Sequence, residues 1–309
     1  MPMSPLRLAA ALAITLPCLA SFPEGTLANV KVCRTLEQNY EQIQRSATSL
    51  ELNATLFSAA DKGCEVLARR LLDNGASLEA RDRLGAKPLA RAASAGQIEI
   101  VTLFIERGAP IGARDLDGSS ALYKAAETGR LPMVRLLIER GADVNLPGRN
   151  GITPLSAAAY MGSAPIVQLL MEKGADPKVT DNTQKAAIIY AAGRGFLPVT
   201  RLLLDHGVDI NAKYGNDLTA LMWAAGYSAE AGVNDVVEVM TLFIERGARL
   251  DDQDNRGRTA LMIAAELGHA AAVDVLLAHG ADKSLKDKQG KTAGDLTTLT
   301  ALRDKLAGR

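Results

Sequence analysis

The sequence predicts an all-α solenoid, and three observations carry that prediction. Glycines Gly75, Gly108, Gly141, Gly174, Gly207, Gly247 and Gly280 recur at spacings of 33, 33, 33, 33, 40 and 33 residues. Each closes an apolar run, most fully in Leu136-Leu137-Ile138-Glu139-Arg140-Gly141-Ala142-Asp143-Val144-Asn145. Pro132, Pro165 and Pro198 repeat the 33-residue interval, each near the start of a helix, where proline costs no hydrogen bond. A period of this length, sustained over so many copies, belongs to units stacked in a row rather than to one closed globule.

The elements follow in chain order. Arg7, the apolar run Leu8–Leu16 and the small residues around Ala20 read as a secretory signal peptide over residues 1–20, with cleavage after Ala20 or as late as Ala28. The run is shorter than the roughly 20 residues a spanning helix needs. A retained N-terminal anchor is the alternative. A lipoprotein signal through Cys18 is weaker, because Pro17 precedes that cysteine. Residues 29–49 form an amphipathic capping helix, with Val32, Leu36, Ile43 and Ala47 on one face. Such a cap shields the first apolar face of an array. Cys33 and Cys64 remain after removal of Cys18, and an exported chain permits a disulfide between them. Two unpaired thiols are the alternative.

Seven units then cover 50–82, 83–115, 116–148, 149–181, 182–214, 215–254 and 255–287, and 288–309 begins an eighth that serves as the C-terminal cap. In the unit 116–148, Asp117-Gly118 marks a turn and Ser120 an N-cap. Leu122, Ala125 and Ala126 stripe a first helix, which Gly129 ends. Leu131, Val134, Leu137 and Ile138 stripe a second, and Gly141 takes its left-handed C-terminal position. Pro88 and Pro154 stand at the start of first helices. The sixth unit carries about seven extra residues in Gly226–Asn234, between its two helices, and in the same neighbourhood the turn glycine is replaced by Gln184 and Asp217.

Gly151-Ile152-Thr153-Pro154-Leu155-Ser156-Ala157-Ala158-Ala159, followed by Leu169-Leu170-Met171-Glu172-Lys173-Gly174-Ala175-Asp176, resembles the ankyrin repeat, as does Gly257-Arg258-Thr259-Ala260-Leu261-Met262-Ile263-Ala264-Ala265. The resemblance spans about residues 50–309. It implies helix–turn–helix units with β-turn fingers, stacked into a curved solenoid whose concave face binds other proteins. The chain departs from the pattern at the usual histidine, where it carries Ala90, Tyr123, Ser156, Ile189, Met222 or Met262, so the hydrogen bond normally made there is missing or replaced.

Catalytic chemistry is not legible. Lys+Arg and Asp+Glu both total 35, and this balance argues against nucleic acid as a partner. His206 and His279 hold the same position two units apart, on the order of 20 Å at the spacing of packed helices, too far to share a metal. No phosphate loop, dinucleotide fingerprint or nucleophile elbow is present. Asp251-Asp252-Gln253-Asp254 lacks the glycine and glutamate of a calcium loop and reads as a solvated turn. No cofactor and no metal is expected.

The expected function is therefore an exported, non-enzymatic protein-interaction scaffold. It is placed in the periplasm, with secretion second, and is expected to be monomeric and without an integral membrane segment once mature. A secreted effector or envelope-attached factor is the alternative. Repeat arithmetic maps the partner-facing positions to the fingers (Arg81, Arg83, Arg114, Arg149, Lys185, Lys213, Asn216) and to first-helix positions (Tyr160, Met161, Arg194); Tyr190 and Trp223 in the inner groove and Tyr227 in the insertion are further candidates. Trp223, the only tryptophan, either lines the groove beside Tyr190 or packs between repeats. The irregular stretch from Lys185 to Asn234 is where function is first sought.

Overall fold

A computed structural model describes residues 24–227 and 231–308, with residues 24–28 given by their helical backbone alone. The signal peptide expected over residues 1–20 lies outside the described residues. Helix α1 runs Glu24–Ile43, and α2 (Ser49–Lys62) with α3 (Glu65–Asp73) forms the first unit. The next pairs are α4 (Pro88–Ala95) with α5 (Ile98–Glu106), α6 (Ala121–Glu127) with α7 (Leu131–Glu139), and α8 (Pro154–Tyr160) with α9 (Ala164–Glu172). They continue as α10 (Ala187–Ala192) with α11 (Leu197–Asp205), α12 (Ala220–Ala225) with α13 (Val233–Glu245), and α14 (Ala260–Leu267) with α15 (Ala270–Ala278). The short α16 (Ala293–Leu296) and α17 (Thr300–Ala307) close the stack.

First helices pack on first helices from α2 to α16, and second helices on second helices from α3 to α15. The core is thus a continuous apolar row between the two layers. Ala125, Ala126, Ala158, Ala159, Ala191, Ala192, Ala224 and Ala225 are fully buried where the first helices touch. These small side chains let helices of only six to eight residues approach closely. Thr48, Ser120, Thr153, Thr219, Thr259 and Thr292 each accept the N3 amide of the helix they begin, satisfying one of its orphan donors. Prolines 88, 132, 154, 165 and 198 fall at the first or second helical position.

At Gly141 the backbone turns left-handed, φ +90°. The Gly141 amide donates to Ile138 O (2.9 Å) and the Ala142 amide to Leu137 O (2.9 Å), so two orphan carbonyls of α7 are capped. The cap helix α1 begins at Glu24 and ends at Ile43, earlier at both ends than the expected 29–49. It packs on α2 and α3, and the sulfurs of Cys33 and Cys64 lie 2.05 Å apart, at disulfide distance. Among the described residues, no helix is long and apolar enough to cross a membrane.

The extra residues of the sixth unit lie between α12 and α13, as the spacing predicts. Part of them lengthens α13 to 13 residues, against nine in α11 and α15. Tyr227 stacks on the His269 ring of the next unit, centroids 3.8 Å apart, while His269 Nδ1 lies 2.9 Å from Ala225 O. The start of the insertion is therefore pinned to the following repeat.

Candidate protein-binding face

The fingers are held by one recurring device. Asp82, Asp181, Asp254 and Asp287 each accept two backbone amides of their own turn through Oδ1, two and four residues ahead. Asp115 Oδ1 takes the Ser119 amide at 2.7 Å. Two fingers lack the aspartate and carry Gly148 and Tyr214 instead. There the chain makes a tighter turn with consecutive left-handed residues, Asn150 (φ 56°) and Gly151 (φ 79°) in one, Asn216 (φ 64°) and Asp217 (φ 59°) in the other. Asn and Asp tolerate that region better than other side chains. Gln184 (φ 60°) keeps the left-handed turn position without glycine.

Between these fingers, the first helices of units three to six carry a row of aromatic side chains, Tyr123 buried, Tyr190 and Trp223 half-buried and Tyr160 exposed, each facing a cation. Lys124 Nζ lies 5.7 Å from the Tyr123 ring centre and Arg194 4.4 Å from that of Tyr160. Lys185 Nζ lies 4.6 Å from the Trp223 ring and 6.0 Å from Tyr190. Tyr160 and Tyr190 meet edge to face, 5.9 Å between centroids. With Tyr123 they wall a cavity of about 210 Å³, floored by Ala157 and edged by Glu127 and Arg149.

The acids of this face are engaged internally. Glu127 accepts the Tyr123 hydroxyl (3.2 Å), and Lys124 lies 3.5 Å from Glu127 and 3.4 Å from Asp117. Tyr190 donates its hydroxyl to Asp181 Oδ2. Burial pushes the hydroxyls of Tyr123 and Tyr190 well above the ordinary tyrosine range, and the neighbouring carboxylates add to it. Both are therefore neutral donors. Burial also pushes against ionisation of Asp181, but the donors from Tyr190, Lys185 and Thr183 outweigh it and hold this carboxyl below its ordinary value. Among the described residues, Arg149 and Lys185 have no carboxylate within ion-pair distance.

Family models for ankyrin repeats match most of the chain: one described as "Ankyrin repeats (3 copies)" matches residues 103–181, 174–239 and 188–287. The chain belongs to the ankyrin repeat family. A second model, "Ankyrin repeats (many copies)", matches residues 56–105. The fold is similar to the crystal structure of the human ASB11 ankyrin repeat domain, with a TM-score of 0.63 and 27% identity over 72% of this chain and 97% of that one.

Set in the ankyrin frame, the residues mapped from the sequence have different fates. Arg149, Tyr160, Lys185, Tyr190, Arg194 and Trp223 converge on the aromatic face. Arg81, Arg114 and Lys213 instead stitch neighbouring fingers. Arg81 Nη1 donates to Gly85 O (2.8 Å) and Arg114 O (3.3 Å), Arg114 donates to Gly118 O (2.6 Å) and Pro147 O (2.7 Å), and Lys213 Nζ donates to Gln253 O (3.0 Å). Asn216 shapes its own turn and accepts the Asn255 amide through its carbonyl, 3.0 Å. Arg83 and Met161 are exposed and do not line the cavity, and Tyr227 is engaged with His269.

Tyr123, Glu127, Lys124 and Asp181 belong to the face and were not mapped to it. Tyr123 fills the family's histidine position, whose bond is partly replaced elsewhere. The Thr153 hydroxyl reaches Ser156 Oγ at 3.2 Å, and the Thr219 amide reaches Met222 Sδ at 3.4 Å. Nδ1 of His206 and of His279 turns back to a carbonyl of its own helix, 2.8 Å in both. Among the described residues, no group of three or more His, Cys, Asp or Glu side chains is arranged to hold a metal.

Proposed function

We propose that this ankyrin chain is an exported protein-interaction scaffold without catalytic chemistry, which holds a partner against the first helices and fingers of units three to six. The carrying observation is the row Tyr123, Tyr160, Tyr190 and Trp223, each within reach of a lysine or arginine. Aromatic rings and arginine are what partner anchors are commonly made of. Their rigid mounting on packed helices also limits the ordering cost of binding.

The N-terminal apolar run and the Cys33–Cys64 pair at bonding distance support export to an oxidising compartment, taken as the periplasm. The mature chain acts as a monomer in this reading. The test is capture from an envelope fraction with the mature protein, beside a variant carrying Tyr160→Ala, Tyr190→Ala and Trp223→Ala. A partner retained only by the parent is the expected result. Equal recovery by both proteins refutes this face as the binding surface. N-terminal sequencing of the cell-derived protein, starting after residue 20 or 28, tests export.

A further inference from the structure

We infer that the cavity over Ala157 is an anchor socket for an acidic peptide segment of the partner, taking one aromatic or large apolar side chain while Arg149 and Lys185 meet flanking carboxylates. This rests on the scaffold reading above and specifies its ligand.

Size comes first. At about 210 Å³ the cavity falls below the roughly 300–1,000 Å³ typical of sites for whole small molecules, and suits a single side chain. It exists because unit four has alanine at position 157, where units three, five and six carry Lys124, Tyr190 and Trp223. Of these, Tyr190 stands as a wall of the gap, together with Tyr123 and Tyr160.

Charge decides the sign of the ligand. A ring of tyrosines beside a glutamate can also suit a cation, but here the rings already face the protein's own cations: Lys124 at Tyr123, Arg194 at Tyr160 and Lys185 at Tyr190. Glu127 is engaged by the Tyr123 hydroxyl and Lys124. A ligand cation would therefore meet like charge, and both oxygens of the one lining carboxylate, Glu127, already have a partner. A carboxylate would meet Arg149, exposed at the rim, and Lys185, neither of which has an ion-pair partner among the described residues. Such complementarity selects partners chiefly by excluding the wrong sign.

The experiment uses four probes on the mature protein: an acetylated, amidated acidic octapeptide with one central phenylalanine, its alanine counterpart, the same phenylalanine in a lysine background, and tetramethylammonium chloride. Binding is read from Trp223 fluorescence, since it is the only tryptophan, and from tyrosine ring signals by NMR. The acidic phenylalanine peptide is expected to bind, and to lose about tenfold in affinity with the alanine counterpart, with Arg149→Glu or with Tyr160→Ala, as single anchors commonly do. Both substituted residues are exposed, so the fold is retained. Arg83→Glu, the same charge change on an exposed finger residue that does not line the socket, should leave affinity within about twofold, because salt screens exposed charges beyond roughly 8 Å.

No binding by the acidic peptide, equal binding by the lysine or alanine peptide, equal binding by Arg149→Glu, or uptake of tetramethylammonium in its place would each overturn the proposal. A captured partner that Arg149→Glu and Tyr160→Ala both retain would sink the socket and leave the scaffold reading standing. Peptide binding with no captured partner would do the reverse.

Discussion

Gly141→Ala isolates the backbone term that sets the repeat. Gly141 sits at φ +90°, and a Cβ added there meets nothing within 4 Å. The substitution therefore makes no clash, and its cost is conformational. A left-handed alanine costs about 1–2 kcal/mol, and the smaller freedom of the unfolded chain returns roughly 0.4–1 kcal/mol. The net loss is about 1 kcal/mol, or about 2–4 °C in melting temperature for a chain of this size. At Gly257, φ +77°, the added Cβ would also lie 2.9 Å from the backbone nitrogen of Lys288 in the next finger. Gly257→Ala therefore combines strain with a contact that must be relieved between units, and should cost more. Urea unfolding followed by circular dichroism measures both. An unchanged midpoint for Gly141→Ala, or a loss at Gly257 no larger than at Gly141, refutes the reasoning. The mirror experiment is Gln184→Gly, which removes a non-glycine residue from φ 60° and should stabilise by roughly 0.5–1 kcal/mol once the same two terms are opposed.

Cys33→Ser opens a link between residues 31 apart and should cost roughly 3–4 kcal/mol on the loop-entropy account, confined to α1 and the first unit because an array couples only neighbours; hydrogen exchange should rise over α1–α3 and stay unchanged over α12–α15. Burial, helped by the neighbouring Asp117, raises Asp115 from 3.8 to about 6, so its contribution is full below the ordinary value and is lost as pH rises through about 6. Carboxyl NMR on Asp117→Asn should find Asp115 titrating lower, and an unmoved titration refutes the coupling. Tyr190→Phe removes a donor from Asp181, whose carboxyl is held low in the fold, so the stability this bond supplies is present above 3.8 and fades as pH falls through the depressed value. The loss should be roughly 1.5–3 kcal/mol at neutral pH and smaller at pH 3, and a pH-independent loss would contradict it. Gly148→Ala, where the added Cβ would stand 2.5 Å from the Tyr123 ring, should shift the Tyr123 ring signals, whereas Gly141→Ala should leave them in place.

The architecture was legible because it rests on local backbone demands that recur. Left-handed glycines, prolines in the first helical turn and hydroxyl caps write their positions into the chain every 33 residues. The aromatic face keeps the period only between Tyr190 and Trp223. Tyr123, Tyr160 and Tyr190 are separated by 37 and 30 residues and come together only when neighbouring units stack. Its cavity is created by a small residue, Ala157, and a gap leaves no motif to find. Repeat arithmetic also assigned Arg81, Arg114 and Lys213 to partners because finger positions are solvated. The next finger's carbonyls, which those side chains reach, belong to the following unit and cannot be read from the residue itself.

The socket and the altered finger beside it have one physical origin. Most fingers place an aspartate at the position of Gly148 and tie the turn through its carboxylate. In the third unit the histidine position is occupied by Tyr123, whose ring lies against Gly148 so closely that even a Cβ would sit 2.5 Å away. Glycine is demanded there by contact, since its φ of −96° lies outside the left-handed region. With the aspartate gone, the turn has no carboxylate of its own to collect its amides, and it closes by taking Asn150 and Gly151 into left-handed conformations. That tighter turn belongs to the finger whose Arg149 and Asn150 line the cavity. One tyrosine in place of histidine therefore supplies a wall of the socket, excludes the aspartate, and leaves the finger to close in the form that carries Arg149 to the rim.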